Sequence, residues 1–439
     1  MNFISIFEHE CFPESLTEVE KAALARLRGP RNEKMFDVGW RDVWATSFVG
    51  VVQLGTRVIQ VLPKMYSRQL DMECDVAECG REATGNLLFL LNYTGKLRVT
   101  ETEIARLTEQ YSPLSEILFW IFARRLWDSV RRELLRGYVV VEDRLEVLKG
   151  RWQVAAQSRR ADGWRQDRFD VMFDEFTEDN LPNRIFNATA LCLSRWATWS
   201  ETRGHLAQLR SAFADVADIT PQLNDFPEAA HWMQRYRRRA GEGRIYRPLL
   251  EMARMFWSST GQQLSSGRLD TFAFMFNMNE LFEEFIAEFT RLKVREVWQA
   301  RGWSLHAQSG TRHLLCNESG RNLFKLIPDI RFETIIGDTA LIVDTKYKLL
   351  DATAAKGGVS EADAYQMFAY KERYRCPRVV LLYPQSSEPM ARDFSADMDS
   401  SSWLEVRTVD LQREYYKSNN LKLLANELAS ILYGNVMHQ

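Results

Sequence analysis

Between residues 114 and 136 the apolar positions Leu114, Ile117, Leu118, Ile121, Leu126 and Val130 fall at roughly the spacing of one face of a helix. Arg124, Arg125, Arg131, Arg132 and Arg136 fall on or near the opposite face. The same pattern predicts helices over 16–27, 84–92, 185–199, 206–216, 229–239, 249–256, 279–297, 361–373 and 419–432. Short runs rich in β-branched and aromatic residues predict strands instead. Residues 47–54 and 58–62 flank a Gly55-Thr56 turn, and 138–142 and 145–149 flank Asp143-Arg144. Strands over 152–156 and 168–173 follow, then an acidic loop over 174–180. Near the C-terminus come strands over 323–327, 331–336, 340–347 and 378–383.

These elements describe an α+β multidomain chain. A β-rich N-terminal part precedes a helical middle region, and a C-terminal mixed sheet is flanked by helices. The stretch 258–267, rich in Ser, Thr, Gly and Gln, is the best linker. It sets the boundary between the middle and C-terminal domains at 262/263. No internal repeat or low-complexity segment interrupts them.

Composition narrows the partners. With 46% hydrophobic and 26% charged residues, the 439-residue chain is globular. A net charge of -2 excludes a uniformly basic nucleic-acid binder, so DNA contact must come from local patches. The clearest is Arg235-Tyr-Arg-Arg-Arg239, where Arg235, Arg237, Arg238 and Arg239 surround an aromatic ring. The bland alternative is a solvated helix face. Six cysteines include no C-x-x-C pair, which argues against zinc and disulfides and for a reducing cytoplasm. No apolar run reaches membrane-spanning length, and the first residues lack the basic stretch of a signal peptide. Asn92-Tyr-Thr-Gly95-Lys96 lacks the early glycine and the Ser/Thr of a P-loop, so the chain alone is expected to bind no nucleotide.

The candidate chemistry lies in Leu326–Glu333 and 341–348, joined around Gly337-Asp338. Folded as a hairpin about that pair, Ile330 faces Thr345 and Phe332 faces Val343 on an apolar side. On the other side Asp329 falls opposite Lys346, and Arg331 opposite Asp344. Directly opposed side chains sit about 5 Å apart. The D-x-K spacing puts Asp344 and Lys346 on one face of a strand. Mg²⁺ is a hard ion that takes oxygen ligands, and Asp329, Asp344 and the Thr345 carbonyl supply three. Lys346 would orient or deprotonate the attacking water, or balance developing charge. The bland alternative is a charged solvent face of a hairpin.

The stretch resembles the PD-(D/E)xK nuclease motif in the form seen in the McrC family, the nuclease subunit of McrBC-type restriction systems that cut modified DNA. Leu281-Phe-Glu-Glu-Phe285 resembles the helix before the hairpin, with Glu283 at its acidic position as a metal or water ligand. Tyr365–Tyr370 resembles the helix after it, with Gln366 and Tyr370 placed to orient the lysine or a DNA phosphate. Val379–Pro384, Phe173–Phe176 with Asn183-Arg184, Gly150-Arg151 and Gly50–Leu54 through Pro63-Lys64-Met65 resemble further landmarks in the same order. The resemblance implies Mg²⁺, with Mn²⁺ as a substitute. It implies a separate AAA+ GTPase or ATPase motor, onto which residues up to about 166 would dock and whose hydrolysis they would stimulate. With that docking module and the linker boundary, the domains are 1–166, 167–262 and 263–439. It also implies double-stranded DNA, modified or foreign, as substrate, as in antiviral defence. Two rivals remain at this stage: a repair or processing nuclease of the same superfamily, and a motor-activating scaffold with a decayed site.

Overall fold

The computed structural model describes residues 2–66, 76–97, 99–109, 113–165, 167–235, 242–260, 271–351, 356–386, 388–395, 401–415 and 418–434. Contacts divide the chain into two compact units. One is Met1–Leu114 with Arg268–Gln439; the other is Ser115–Gly267. These boundaries differ from those expected at 166/167 and 262/263, because the N-terminal strands complete their sheet with a strand beyond residue 270.

The N-terminal stretch of the first unit holds β1 (Asn2–Phe7), α1 (Glu18–Arg26), β2 (Phe36–Val38), β3 (Val43–Ala45), β4 (Phe48–Leu54), β5 (Arg57–Leu62), α2 (Val76–Tyr93) and α3 (Glu101–Glu109). Thr17 starts α1 with a capping box. Its hydroxyl accepts from the Glu20 N–H, and the Glu20 carboxylate accepts from the Thr17 N–H. β4 and β5 form the expected hairpin about Gly55.

The second unit runs through α4 (Leu114–Arg132, entering from the first unit), β6 (Gly137–Leu145), β7 (Arg151–Trp152), α5 (Val154–Ser158), β8 (Phe169–Thr177), α6 (Leu181–Ser194), α7 (Ser200–Ala212), α8 (Asp225–Arg235) and α9 (Glu242–Thr260). Ile117, Leu118, Ile121, Leu126 and Val130 of α4 are buried as their spacing predicts, and Phe119 and Phe122 meet Phe256 of α9 edge to face. The β-reading here needs three corrections. β6 runs unbroken through Asp143-Arg144, because each of its residues pairs with β8. Residues 154–158 are a short helix, with only Arg151 and Trp152 paired as strand. Asp174–Thr177 extends β8, since the long partner strand β6 supplies hydrogen bonds that local acidity does not reveal. Gly150 holds φ +71, and a Cβ there would lie 2.5 Å from the Met172 carbonyl oxygen, so only glycine fits this approach to β8.

The chain returns to the first unit with β9 (Thr271–Asn277), α10 (Met278–Lys293), α11 (Arg295–Ala300), β10 (Ser304–Ala307), β11 (Arg312–Cys316), β12 (Asn322–Leu326), β13 (Ile330–Glu333), β14 (Thr339–Thr345), α12 (Glu361–Tyr374), β15 (Val379–Pro384), β16 (Ala391–Phe394), β17 (Leu404–Val409) and α13 (Ser418–Tyr433). β9 closes a sheet of order β1-β5-β4-β9. β4 and β9 approach so closely that a Cβ on Gly50, at φ +137, would lie 2.0 Å from the Phe274 carbonyl oxygen. The second sheet has the order β10-β13-β14-β15-β17-β16. β14, β15 and β17 are parallel, and the outer pairs are antiparallel. α12 crosses from β14 to β15 and packs Met367, Tyr370 and Tyr374 over Ile342, Leu381 and Val406. On the opposite face Phe332 meets Trp298 of α11 and Trp303. Among the described residues no helix is long and apolar enough to cross a membrane.

Candidate active site

Three elements converge at one end of the central strands. α10 begins at Asn277, whose side chain accepts from the Asn279 N–H, and carries Glu283 in its second turn. β14 ends in Asp344 and Thr345, with Lys346 following. α12 starts under a Ser360 cap that accepts from the Asp363 N–H (3.1 Å) and presents Gln366 and Tyr370 one turn apart.

The hairpin register differs from the sequence expectation by two residues. Ile330 pairs with Val343, Arg331 with Ile342 and Phe332 with Leu341. The turn starts at Thr334, whose carbonyl accepts from the Gly337 N–H (3.0 Å), and Gly337 takes the positive φ of 89°. The register shifts once more between Phe332 and Glu333. A slip of two preserves the face of every residue, so Asp344 and Lys346 still share a side. Arg331 does not sit opposite Asp344. Its guanidinium lies over the Tyr374 ring and pairs with Glu333.

Asp329 is also placed differently. It precedes β13 and caps the end of β14, where its Oδ2 accepts from the Thr345 N–H (2.7 Å) and hydroxyl (2.8 Å). Gln308, which sequence reasoning missed, donates to Asp329 Oδ1 (3.3 Å), and its N–H donates to the Asp329 carbonyl (2.9 Å). No sequence motif marks Gln308; only the strand pairing brings it there. Glu283 hydrogen-bonds to Asp329, and its carboxyl is pushed well above the usual range by burial, then by the charges of Asp329 and Asp344.

Asp344 is 1% exposed. Burial raises its carboxyl, the Asp329 charge adds to this, and the Lys346 ammonium opposes it. Lys346 Nζ lies 2.6 Å from Asp344 Oδ2 and donates to Gln366 Oε1 (3.2 Å). Burial works against the Lys346 charge, yet Asp344 lifts it above the ordinary lysine value. Gln366 donates in turn to the Tyr370 hydroxyl (2.9 Å), which donates to the Ile327 carbonyl (2.9 Å). The lysine is thus fixed by a chain that ends two residues before Asp329.

The donor set suits a hard cation. Asp344 Oδ2 is buried and, beyond the ion pair, accepts no hydrogen bond of good geometry, so it keeps acceptor capacity for a cation. Among the described residues no three His, Cys, Asp or Glu side chains form a ready-made cage. An ion such as Mg²⁺, which keeps several waters and takes one or two carboxylates, does not need one.

Other expected site residues lie apart. Arg235 ends α8 in the second unit and donates to His231 Nε2 (3.1 Å). Arg237, Arg238 and Arg239 lie outside the described residues. Asn92–Lys96 spans the C-terminal end of α2 and the turn after it, where helix carbonyls rather than N–H groups are left over, and Lys96 pairs with Glu284.

A second cluster braces the lysine strand. Tyr347 donates to Glu8 Oε2 (2.8 Å), the Lys64 N–H donates to the same oxygen (2.9 Å), and Lys64 Nζ donates to the Tyr347 carbonyl (3.1 Å). Burial pushes the Glu8 carboxyl up to about 7 from 4.5, against the Lys64 charge and these hydrogen bonds. A raised acid favours folding while it is protonated. Its contribution is complete below pH 4.5 and is lost as pH rises through about 7. The shift corresponds to about 3 kcal/mol. Urea midpoints at pH 5 and pH 8 are expected to differ less in Glu8→Gln than in wild type. An equal difference would show that Glu8 is not a source of the pH dependence.

The fold and this centre define a multidomain α+β protein with an acidic–lysine cluster at the parallel end of a mixed sheet. The profile of the family described as "McrBC 5-methylcytosine restriction system component" matches residues 43–384, and the chain belongs to that family. Two solved structures are similar to it. One is a chain of a refined half-complex from a tetradecameric assembly of Thermococcus gammatolerans McrB AAA+ hexamers with bound McrC. It is 18% identical, with TM-score 0.60, covering 95% of this chain and 99% of that one. The other, from a Thermococcus gammatolerans McrBC complex, is 22% identical with TM-score 0.46, covering 67% and 88%. No curated protein matches the sequence.

Proposed function

We propose that the chain is the DNA-cleaving subunit of an McrBC-type restriction system, a metal-dependent endodeoxyribonuclease that docks on a separate AAA+ motor and stimulates its hydrolysis. The observation that carries the reading is the run of acidic groups from Glu283 through Asp329 to Asp344, which pairs with a lysine held in place by Gln366. Asp329, Asp344 and the Thr345 carbonyl would hold Mg²⁺, or Mn²⁺ in its place, with Glu283 as a ligand of the metal or of its water. When bound, such an ion would neutralise charge at a phosphate and lower the pKa of a water. Lys346, aimed by Gln366 and Tyr370, positions the attacking water and balances charge as the P–O bond breaks. Family membership supports a restriction-system role, and the likeness to an assembly of McrB hexamers with bound McrC supports the motor partner.

The test is cleavage of methylated and unmethylated plasmid by the full chain, with and without Mg²⁺, an McrB-type motor and nucleotide. Cutting that requires motor, metal and methylation is expected. Cutting that ignores the motor would favour a repair or processing nuclease. Motor stimulation without any cutting would leave a scaffold.

A further inference from the structure

The pair β10–β13 does not stop at the site. Beyond Ala307 and Ile330, which face each other, the chain passes Gln308 and Asp329 and then pairs again as β11–β12. This second ribbon projects past Asp329 with little core of its own. Thr311, Arg312 and every residue from Leu314 to Asn322 are exposed, as are Phe324, Lys325 and Ile327. A two-stranded ribbon alone is marginally stable in water, so something must hold it.

Its root is fixed. The Tyr374 hydroxyl accepts from the Thr311 N–H (3.1 Å) and donates to the Leu326 carbonyl (2.8 Å), and Arg373 Nε donates to the His313 carbonyl (2.8 Å). Both anchors belong to α12, the helix that carries Gln366 and Tyr370. Five residues per strand at about 3.3 Å each give a reach of roughly 17 Å.

The ribbon's charge names its occupant. Arg312, Arg321 and Lys325 are exposed, and among the described residues none has an ion-pair partner. Glu318 is the only acidic residue between Thr311 and Ile327. Phe324 holds an unusual positive φ of 56° and is 66% exposed, which sets an aromatic ring outward beside the cations. The major groove of B-DNA admits a two-stranded ribbon.

We propose that the β11–β12 ribbon is a duplex-DNA contact element, with Arg312, Arg321 and Lys325 seated on the phosphates next to the bond presented to Asp329 and Asp344. The inference rests on the nuclease reading for what happens to that DNA, but binding tests it separately from cutting. Affinity of the full chain for a fluorescent duplex is measured by anisotropy in EDTA, across a salt series. In the triple variant Arg312→Gln/Arg321→Gln/Lys325→Gln, affinity at low salt is expected to fall at least about tenfold. The slope of log K against log salt should shrink by about 2–3, near 0.9 per phosphate contact. The charge-keeping variant Arg312→Lys/Arg321→Lys/Lys325→Arg should restore the slope. An unchanged slope in the glutamine variant overturns the proposal whether or not the chain cuts. So does a variant that binds DNA normally but no longer stimulates the motor, which would make the ribbon a protein contact. A wild type that binds with this salt signature yet never cuts would fail the nuclease reading and leave the ribbon standing.

Discussion

Asp344→Asn is expected to lower the proposed metal-dependent DNA cleavage by about 10³-fold or more while leaving the melting temperature at pH 8 unchanged or higher. The two outcomes share one cause. Burial lifts the Asp344 carboxyl above its ordinary 3.8, so the folded state prefers it neutral. Its contribution to stability is therefore present below the unfolded value and lost as pH rises through the raised one. At pH 8 the ionised group is a burden on the fold, partly offset by Lys346, and asparagine removes that burden at nearly the same volume. Lys346 keeps 21% side-chain exposure and its hydrogen bond to Gln366, so losing the Asp344 charge does not leave its ammonium without a partner. Asparagine keeps a carbonyl oxygen but removes the negative charge with which a carboxylate holds a hard cation. Plasmid cleavage and a thermal melt on the same preparation check both halves. Wild-type cutting by the variant would remove Asp344 from the site. Lost cutting with a collapsed melt would mean only that the fold had failed.

Gly50→Ala is expected to destabilise the protein by about 3 kcal/mol or more. A Cβ at this position overlaps the Phe274 carbonyl oxygen at 2.0 Å and approaches the Met275 Cα at 3.0 Å. Both obstacles are backbone, held by the β4–β9 ladder, so neither can swing aside. The positive φ adds strain of its own. Gly204→Ala provides the opposite sign. Gly204 lies inside α7 with nothing within 4 Å of the new Cβ, and alanine there should stabilise by about 0.5–1 kcal/mol. Urea midpoints of the two variants, measured side by side, should move in opposite directions. A Gly50→Ala midpoint at the wild-type value would mean that β4 and β9 separate without cost.

The sequence exposes what is local and hides what is distant. The 3.6-residue period of α4, the Gly55 turn between β4 and β5 and the D-x-K alternation in β14 are all written within a few residues. Gly337-Asp338 also marks a turn, but the glycine closes that turn rather than centring it, and the register moved by two. Parity protected the face of Asp344 and Lys346 from this error, since side chains alternate with period two. It did not protect Asp329, which leaves the strand and meets the Thr345 amide. β9 escaped notice although Phe272, Phe274 and Phe276 alternate with Ala273 and Met275, because its apolar run reads equally well as a buried helix segment. Glu8, Gln308 and Tyr347 carry no motif at all. Their roles depend on contacts between segments up to 339 residues apart.

The return of β9 to β4 also orders events in time. Leu54 pairs with Thr271, so the first sheet lacks an edge until the ribosome has made the whole intervening stretch. At about 5–20 residues per second that takes some tens of seconds or less. Through this period the apolar flank of β4 stands open and is a natural client surface for chaperones. β14 and α12 are translated later still. A nascent chain therefore holds no assembled acidic–lysine cluster, and a ribosome that stalls before residue 366 releases a fragment without the glutamine that steadies Lys346.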